Sequence, residues 1–179
     1  PPDYLGSILL ELPEKLKKRA INLLSHKSLA EATSELESDD ATDLVQEMED
    51  MDASKAKVVF SRLEKEDRDE IDSLRKYSDD QAGSIMQVEV FKASVNESIR
   101  EAITRLALDK EEKKLKNIFQ VFIVDETQKL LASAPLSELI KMEFDVKFKQ
   151  LIQGREYPEQ KMIIDTKKIS EVVKRFQDY

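Results

Sequence analysis

The chain of 179 residues contains no cysteine, no tryptophan, one histidine and three glycines. The absence of cysteine excludes disulfides, thiolate metal sites and cysteine nucleophiles, and it fits a reducing cytoplasm. The glycines, Gly6, Gly83 and Gly154, are isolated from one another, so no glycine-rich phosphate-binding loop is present. His26 is interpreted as a turn residue at a helix boundary. Because no serine has a histidine and an aspartate at useful spacing, we expect no enzyme.

Long apolar runs are also missing. No stretch approaches the roughly 18 to 20 apolar residues that a membrane-spanning helix requires, and no charged-then-apolar leader opens the chain. We therefore expect soluble material. Because the chain begins with Pro1 rather than Met, we also expect it to be an excised part of a longer parent.

Charge is unevenly distributed along the chain, whose net charge is −8. Residues 31–80 hold 18 Asp and Glu against 7 Lys and Arg, a net charge of −11. Such a segment repels phosphate backbones, because affinity for nucleic acid comes mainly from Lys and Arg that displace counterions. Nucleic acid is therefore not an expected partner, whereas cations and basic partners are.

The first half of the chain has the apolar spacing of short helices. Pro13, a favoured first-turn residue, opens one of them, and Ser28 with Glu31 is predicted to form a capping box at the next. Ser38 is predicted to cap a third helix. Helices of about three turns do not persist alone in water, so we expect them to stack into a superhelical array of helix pairs.

Beyond Gly83 the periodicity changes to that of a small α/β module. Alternation from Val88 to Ala93 predicts a strand, a helix follows, the runs 118–124 and 130–134 predict two further strands, and Pro135 opens a second helix. The order is strand, helix, strand, strand, helix. Residues 162–164 and 169–176 then predict the first strand and helix of a second such unit. We expect this incomplete unit to pack against the first module.

Three segments carry a resemblance to a known family. They are YSDDQAGSIM at 77–86, FQVFIVDETQKLLASAPLSELI at 119–140 and KMIIDTKKISEVVKRFQDY at 161–179. In this order and spacing they resemble the cytosolic region of MgtE-type magnesium transporters, which is a helical N-terminal domain followed by CBS modules. None of the three is a catalytic signature.

The resemblance implies an α+β fold with three parts. Residues 1–80 would form an all-helical, right-handed superhelical N domain, residues 81–146 a CBS-type βαββα module, and residues 147–179 the start of a second, truncated CBS unit. Tyr77, Gly83 and Met86 mark the junction between the helical part and the first module. Gly83 is expected to permit a positive φ there.

The resemblance also implies magnesium sensing by carboxylates of the N domain that face carboxylates of the CBS modules. The matching positions are Asp39, Asp40 and Asp43. Asp39 and Asp43 lie four residues apart on one helical face with Glu47 one turn further on, and like charges at that spacing destabilise a helix unless something neutralises them. The alternative is that Asp residues after a helix start simply satisfy the helix N-terminus.

Two departures from the family pattern limit these expectations. Lys168 and Ser170 stand where the family commonly has acidic residues, so magnesium is expected to bind weakly and in a regulatory role. Many CBS modules bind adenine nucleotides through a Ser or Thr at the helix entry and an Asp three residues later. Here Pro135 and Glu138 occupy those positions, and Pro has no N–H to offer a phosphate. Nucleotide is therefore unlikely at the first CBS module.

The function implied by the resemblance is a cytosolic magnesium-sensing region that gates the pore of a magnesium transporter. Its partners would be magnesium ions, the transmembrane pore domain of the parent chain and a second copy in a homodimer, at the cytoplasmic face of the inner membrane. The alternative is a soluble CBS-containing adaptor whose helical repeats bind a protein, with possible regulation by adenine nucleotides.

Overall fold

The computed structural model describes residues 4–111, 118–153 and 163–177. It has the predicted α+β fold, in which a mostly helical part is followed by a small mixed sheet with helices. The chain divides into two compact units. We call residues 1–88 with 163–179 the helical unit, and residues 89–162 the sheet unit. The domain boundaries given above, after residues 80 and 146, stay a prediction.

The helical unit contains six described α-helices and a short 3₁₀-helix, Ala82–Ile85. The α-helices are α1 (Leu5–Glu11), α2 (Glu14–Leu23), α3 (His26–Ser34), α4 (Ser38–Phe60), α5 (Lys65–Leu74) and, after the sheet unit in sequence, α9 (Ile169–Gln177). The inward faces of α1–α5 share one apolar core. Its larger members are Leu9, Ile21, Leu29, Leu44, Val45, Met48, Val59, Leu63 and Ile71.

The helix starts differ in detail from the prediction. Ser25, and not Ser28, is the N-cap of α3, because the Ser25 hydroxyl accepts a hydrogen bond from the Ser28 backbone N–H at 3.1 Å. The predicted capping box of Ser28 is therefore wrong. A serine at either position has the chemistry of a cap, and local sequence does not decide which one takes the extended conformation that a cap needs.

Helix α4 consists of two helical stretches that meet at Asp52. This residue has φ −157° and ψ 92°, outside the helical region, and its carboxylate accepts a hydrogen bond from the Lys55 backbone N–H at 3.0 Å. Asp52 therefore caps the second stretch. The helix that was predicted to start at Ser38 corresponds to the first of these stretches.

Lys55 also supplies hydrogen bonds to the backbone carbonyls at the end of α2. Its ammonium group donates to the backbone carbonyls of Ile21 at 2.6 Å, Asn22 at 3.2 Å and Leu24 at 3.1 Å. The last carbonyls of a helix have no partner within the helix, and a cation there also interacts favourably with the helix dipole. A contact across 31 to 34 residues cannot be read from local sequence.

The sheet unit has the predicted βαββα order. Its elements are β1 (Lys92–Ser94), α6 (Ile99–Glu111), β2 (Gln120–Val124), β3 (Leu130–Pro135), α7 (Leu136–Leu139) and α8 (Phe148–Gln153). Strand β2 is central, pairing parallel with β1 and antiparallel with β3. The core consists mainly of Phe91, Ala93, Ile99, Ala102, Val121, Ile123, Ala132, Leu139 and Phe148. The first strand is shorter than predicted, because Val88 and Val90 lie outside it.

The segment after residue 162 departs from the prediction. Residues 163–179 cluster with the helical unit, whereas we expected them to pack against the first CBS module. Ile163 and Ile164 are not in a strand, and Met162 and the Phe176 side chain lie outside the described residues. Helix α9 forms as predicted. Within the described ranges, no helix combines the length and the apolar character needed to cross a membrane.

Candidate metal site

The predicted acidic cluster lies at the start of α4. Burial of Ala41, Leu44 and Val45 fixes the inward face of this helix. Asp43 is exposed, whereas Asp39, Asp40 and Glu47 are half-buried. Asp39 and Asp40 belong to the first turn, and Asp43 and Glu47 follow at the spacing of successive turns.

Ser38 does not cap α4 as predicted. The N-cap residue is Glu37, which makes no side-chain capping bond, whereas the buried Ser38 hydroxyl accepts a hydrogen bond from the Val88 backbone N–H at 3.2 Å. The Gln87 side chain donates to the Glu37 carboxylate. The start of α4 is therefore tied to residues 87–88, and the side chain of its N-cap residue does not cap the first turn.

The carboxyl group of Asp40 is electrostatically unfavourable when ionised. Partial burial raises its pKa above the ordinary value of 3.8, and the nearby charges of Asp39, Asp43 and Glu37 raise it further, in that order. Desolvation and like charges both disfavour the ionised form. Among the described residues, no positive charge offsets these effects at Asp40.

Asp43 has the same kind of environment. Its residue surface is exposed, but partial desolvation of the carboxyl group raises its pKa, followed by the charges of Asp39 and Asp79. Lys17 opposes this rise, and Glu47 adds to it weakly. The contribution of Asp79 shows that a carboxylate 36 residues away in sequence belongs to the same negative region, which local sequence does not indicate.

Asp39 carries a polar atom that the fold does not use. Its Oδ1 is buried and has no hydrogen-bond partner within the described residues. A buried carboxylate oxygen without a donor is costly, because its hydration is lost and nothing replaces it. A cation or its bound water would supply the missing interaction.

Glu47, in contrast, has a partner. Its carboxylate lies 3.3 Å from the Lys17 ammonium of α2, and this pair is largely shielded from solvent. Both residues line a shallow cleft of about 430 Å³, whose other lining residues are Glu14, Lys18, Asp43, Gln46, Asp50 and Met51. Glu47 is therefore already neutralised and contributes least to the predicted cation site.

The donor chemistry of this cluster suits magnesium only in part. Among the residues that the structure describes, no group of three or more His, Cys, Asp or Glu side chains is placed to hold a metal ion. Magnesium accepts oxygen ligands, keeps several waters and commonly takes only one or two carboxylates. Asp39 and Asp43 fit that requirement, and the assignment of Asp39, Asp40, Asp43 and Glu47 as ligands stays a prediction.

The junction residues lie in and beside the 3₁₀-helix. Tyr77 is half-buried, Gly83 is buried and Met86 is exposed. The expectation that Gly83 permits a positive φ is wrong, since no described glycine has one. The physical reason for glycine is space, because a Cβ on Gly83 would lie 2.6 Å from three carbons of the Tyr77 ring.

The residues predicted to disfavour nucleotide binding lie at the start of α7 in the sheet unit. Pro135 is the N-cap of α7 and makes no side-chain capping bond. The Glu138 carboxylate, three residues later, accepts a hydrogen bond from Lys141 at 3.0 Å. This helix start therefore offers a phosphate neither a hydroxyl nor an N–H at its cap.

Comparisons with known proteins support the resemblance noted above. Residues 1–80 match the family model of the MgtE intracellular N domain. The crystal structure of the cytosolic domain of the Mg²⁺ channel MgtE in complex with ATP is 21% identical, with a TM-score of 0.83 over 100% of this chain and 70% of that chain. The soluble part of a magnesium transporter is 23% identical, with a TM-score of 0.76 over 99% of this chain and 67% of that chain. No protein of curated function matches in sequence.

Proposed function

We propose that this chain, whose first 80 residues match the MgtE intracellular N domain and whose fold is that of MgtE cytosolic regions, is a magnesium-sensing regulatory region of a magnesium transporter. It is not an enzyme. The observation that carries the proposal is the start of α4, where Asp40 and Asp43 have raised pKa values and Asp39 has a buried oxygen without a partner.

The mechanism is electrostatic. Ionised Asp39, Asp40 and Asp43 repel one another and any further carboxylate that approaches them, so a closed arrangement of the cytosolic region is unfavourable without a counterion. Magnesium between Asp39 or Asp43 and facing carboxylates removes that repulsion. A cation that binds the closed form more tightly shifts the equilibrium by its difference in affinity, and the pore then closes when magnesium is abundant.

The partners follow from this role. They are magnesium ions, the transmembrane pore domain of the parent chain and a second copy of this region in a homodimer, at the cytoplasmic face of the membrane. Two carboxylates alone bind magnesium weakly, because the ion dehydrates reluctantly. We therefore expect a low-affinity regulatory site and not a permanently bound cofactor.

The test is a titration with MgCl₂ at an ionic strength held constant with NaCl, monitored by the backbone amide signals of residues 37–47. We expect these signals to shift with magnesium, and the shifts to disappear in the double variant Asp39→Asn/Asp43→Asn. A half-occupied site would stabilise the fold by about 0.4 kcal/mol, or about 1 °C in the thermal midpoint.

The matched control is Glu64→Gln/Glu66→Gln, which removes two charges from the start of α5 in the same unit. This variant should keep the magnesium response at the start of α4. An unchanged response in Asp39→Asn/Asp43→Asn, or equal losses in both double variants, would show that magnesium only screens the surface.

Regulation by adenine nucleotides is a second candidate, because one of the similar structures is a complex with ATP. The lack of a donor at Pro135 disfavours phosphate binding at the first CBS module. Titration of the chain with ATP in the absence of magnesium separates the two candidates. Shifts confined to α7 and its neighbours would favour nucleotide, and no shifts there would leave magnesium as the ligand.

A further inference from the structure

Two segments of the helical unit that lie far apart in sequence are joined by backbone hydrogen bonds. The Ala82 N–H donates to the Lys167 carbonyl, and the Gly83 N–H donates to the Asp165 carbonyl, each at 2.7 Å. The Ile169 N–H donates in the opposite direction to the Asp80 carbonyl, also at 2.7 Å. We call residues 77–83 and 165–169, taken together, the clasp. The whole sheet unit, residues 89–162, separates its two halves in sequence.

Side chains reinforce the clasp. The Tyr77 hydroxyl donates to the Asp165 carboxylate at 2.7 Å, and the Lys168 ammonium lies 3.1 Å from the Asp80 carboxylate. Asp80 is held in place by a hydrogen bond from the Ser78 hydroxyl at 2.8 Å. These groups come from both halves, so the clasp is closed by its side chains as well as by its backbone.

Gly83 makes the position of Tyr77 possible. The aromatic ring lies directly against the glycine, in the space that a side chain at Gly83 would occupy. Only with the ring in this place does its hydroxyl reach Asp165. The spacing of Tyr77 and Gly83 in the segment YSDDQAGSIM thus has a structural purpose that the proposed magnesium site does not explain.

Helix α9 depends on this clasp more than on a core. No side chain described between residues 163 and 177 is buried, and Val173 and Ile164 are 47% and 65% exposed. A nine-residue helix is too short to persist alone in water. Its first residue, Ile169, is the one whose N–H is fixed by Asp80.

We propose that Tyr77 and Gly83 are positioning residues that lock α9 to the helical unit, so that α9 moves with helices α1–α5 as one body. This coupling goes beyond the proposed magnesium site and needs no bound magnesium. A rearrangement of the helical unit, whatever ligand causes it, is then transmitted to α9 through the clasp, because the hydrogen bonds leave α9 no independent position.

Amide hydrogen exchange, measured by NMR, tests whether Tyr77 and Gly83 hold α9 to the helical unit. We expect Ala82, Gly83 and Ile169 to be protected in the unaltered chain. Gly83→Ala forces the Tyr77 ring out and should reduce protection at Ile169 at least about tenfold, while core amides such as that of Val45 keep theirs. Tyr77→Phe, which removes only the hydroxyl, should cause a smaller loss at the same amides.

The matched control is Ser84→Ala. Its hydroxyl donates to the carbonyls of Gln81 and Asp79 in the same segment, but makes no bond to residues 165–169. Protection at Ile169 should be unchanged in this variant. Unchanged protection at Ile169 in Gly83→Ala overturns the proposal. If Gly83→Ala unfolds the whole helical unit, Tyr77→Phe decides, and an unaltered Ile169 amide there also overturns it.

Spin labels measure the coupling directly. The chain lacks cysteine, so Lys76→Cys and Lys174→Cys place single labels on exposed positions beside α5 and on α9. We expect one narrow distance distribution, the same with and without magnesium, which broadens in Gly83→Ala. A broad distribution in the unaltered background would show that α9 is not locked. Failure of magnesium to bind at α4 would leave this result unaffected, so the two proposals fail separately.

Discussion

The carboxylates at the start of α4 and those of the sheet unit are the same kind of group in opposite environments. In the sheet unit, hydrogen bonds and nearby cations lower the pKa values of Glu101, Asp125 and Asp145. At the start of α4, burial and like charges raise those of Asp40 and Asp43. The fold therefore stabilises the ionised form in one region and destabilises it in the other.

Glu101 and Asp125 in the sheet unit each have an identifiable structural task. Ser98 and Glu101 form a capping box at the start of α6, with the Ser98 N–H donating to Glu101 at 2.7 Å and the Glu101 N–H donating to Ser98 at 3.3 Å. Asp125 accepts hydrogen bonds from the N–H groups of Thr127 and Lys129, which closes the turn where Gln128 has φ 65°. Acidic residues with such tasks need no ligand. Acidic residues without a structural task, such as Asp39, are the better candidates for binding a cation.

We expect the largest loss of stability from a substitution at Glu97, whose carboxylate has several partners in the sheet unit. Its side chain is 15% exposed and lies 2.9 Å from the Arg105 guanidinium, which in turn lies 4.5 Å from the centre of the Phe91 ring. Glu97→Ala leaves Arg105 and the Ser94 N–H without this acceptor. We expect a loss of about 2 kcal/mol, or about 6 °C in the thermal midpoint by circular dichroism.

The control for Glu97 is Glu143→Ala, in the same unit. Glu143 is exposed, and its side chain makes no hydrogen bond or ion pair with any other described residue. A substitution of this kind should change stability by less than about 0.5 kcal/mol. Equal effects of the two substitutions would remove the contrast between carboxylates that the fold uses and those that it does not.

The next substitution, unlike Glu97→Ala, is expected to stabilise the fold. Asp40→Asn should raise the thermal midpoint at pH 7 and low salt by about 2 °C, because it removes a charge that burial and its neighbours disfavour. The helix dipole favours a negative charge in the first turn, by about 0.3 to 1 kcal/mol. That benefit is spread over Asp39 and Asp40 together, whereas three neighbouring carboxylates act against Asp40, so we expect repulsion to prevail.

The pH dependence checks the cause of the Asp40 effect. A raised folded-state pKa means that the stability contributed by this group is fully present below its unfolded value of 3.8 and is lost as pH rises through the folded value. The gain from Asp40→Asn should therefore shrink as pH falls from 7 toward 4. A lower midpoint for Asp40→Asn at pH 7 would mean that the dipole outweighs the repulsion.

Much of the fold was predictable because it follows local periodicity. The helices of residues 14–74, the strands near 120–124 and 130–135 and the short helix after Pro135 all follow from spacing and turn residues. Cap positions were less predictable. Ser94 and Glu97 bond to each other in the pattern of a capping box, but the helix begins at Ile99, after the second such pair, Ser98 and Glu101.

What the sequence could not show are the contacts over long separations. The partner of Tyr77 is Asp165, 88 residues away, and the last carbonyls of α2 are satisfied by Lys55. Neither contact follows from periodicity, because each depends on the path of the chain between its two members. The acidic cluster was predictable from composition, but not that Lys17 pairs with Glu47 while an Asp39 oxygen is buried without a partner among the described residues.

We expect the smallest change in stability from a substitution at Asp145, an exposed carboxylate whose ionised form the fold stabilises. The Arg100 guanidinium holds the pKa of Asp145 below its ordinary value, through hydrogen bonds at 2.7 Å and 3.4 Å. This contribution is present above the unfolded pKa of 3.8 and is lost as pH falls through the still lower folded value. Asp145→Asn should therefore lower the midpoint at pH 7, and by less than about 2 °C, because exposed ion pairs contribute little. Salt should shrink this loss, which comes from an exposed pair of charges, more than the gain from Asp40→Asn, whose largest cause is burial. Opposite signs at low salt, with the Asp145 effect falling toward zero in 0.5 M NaCl, where the Debye length is about half its value at 0.1 M, would support the electrostatic contrast, whereas equal signs would contradict it.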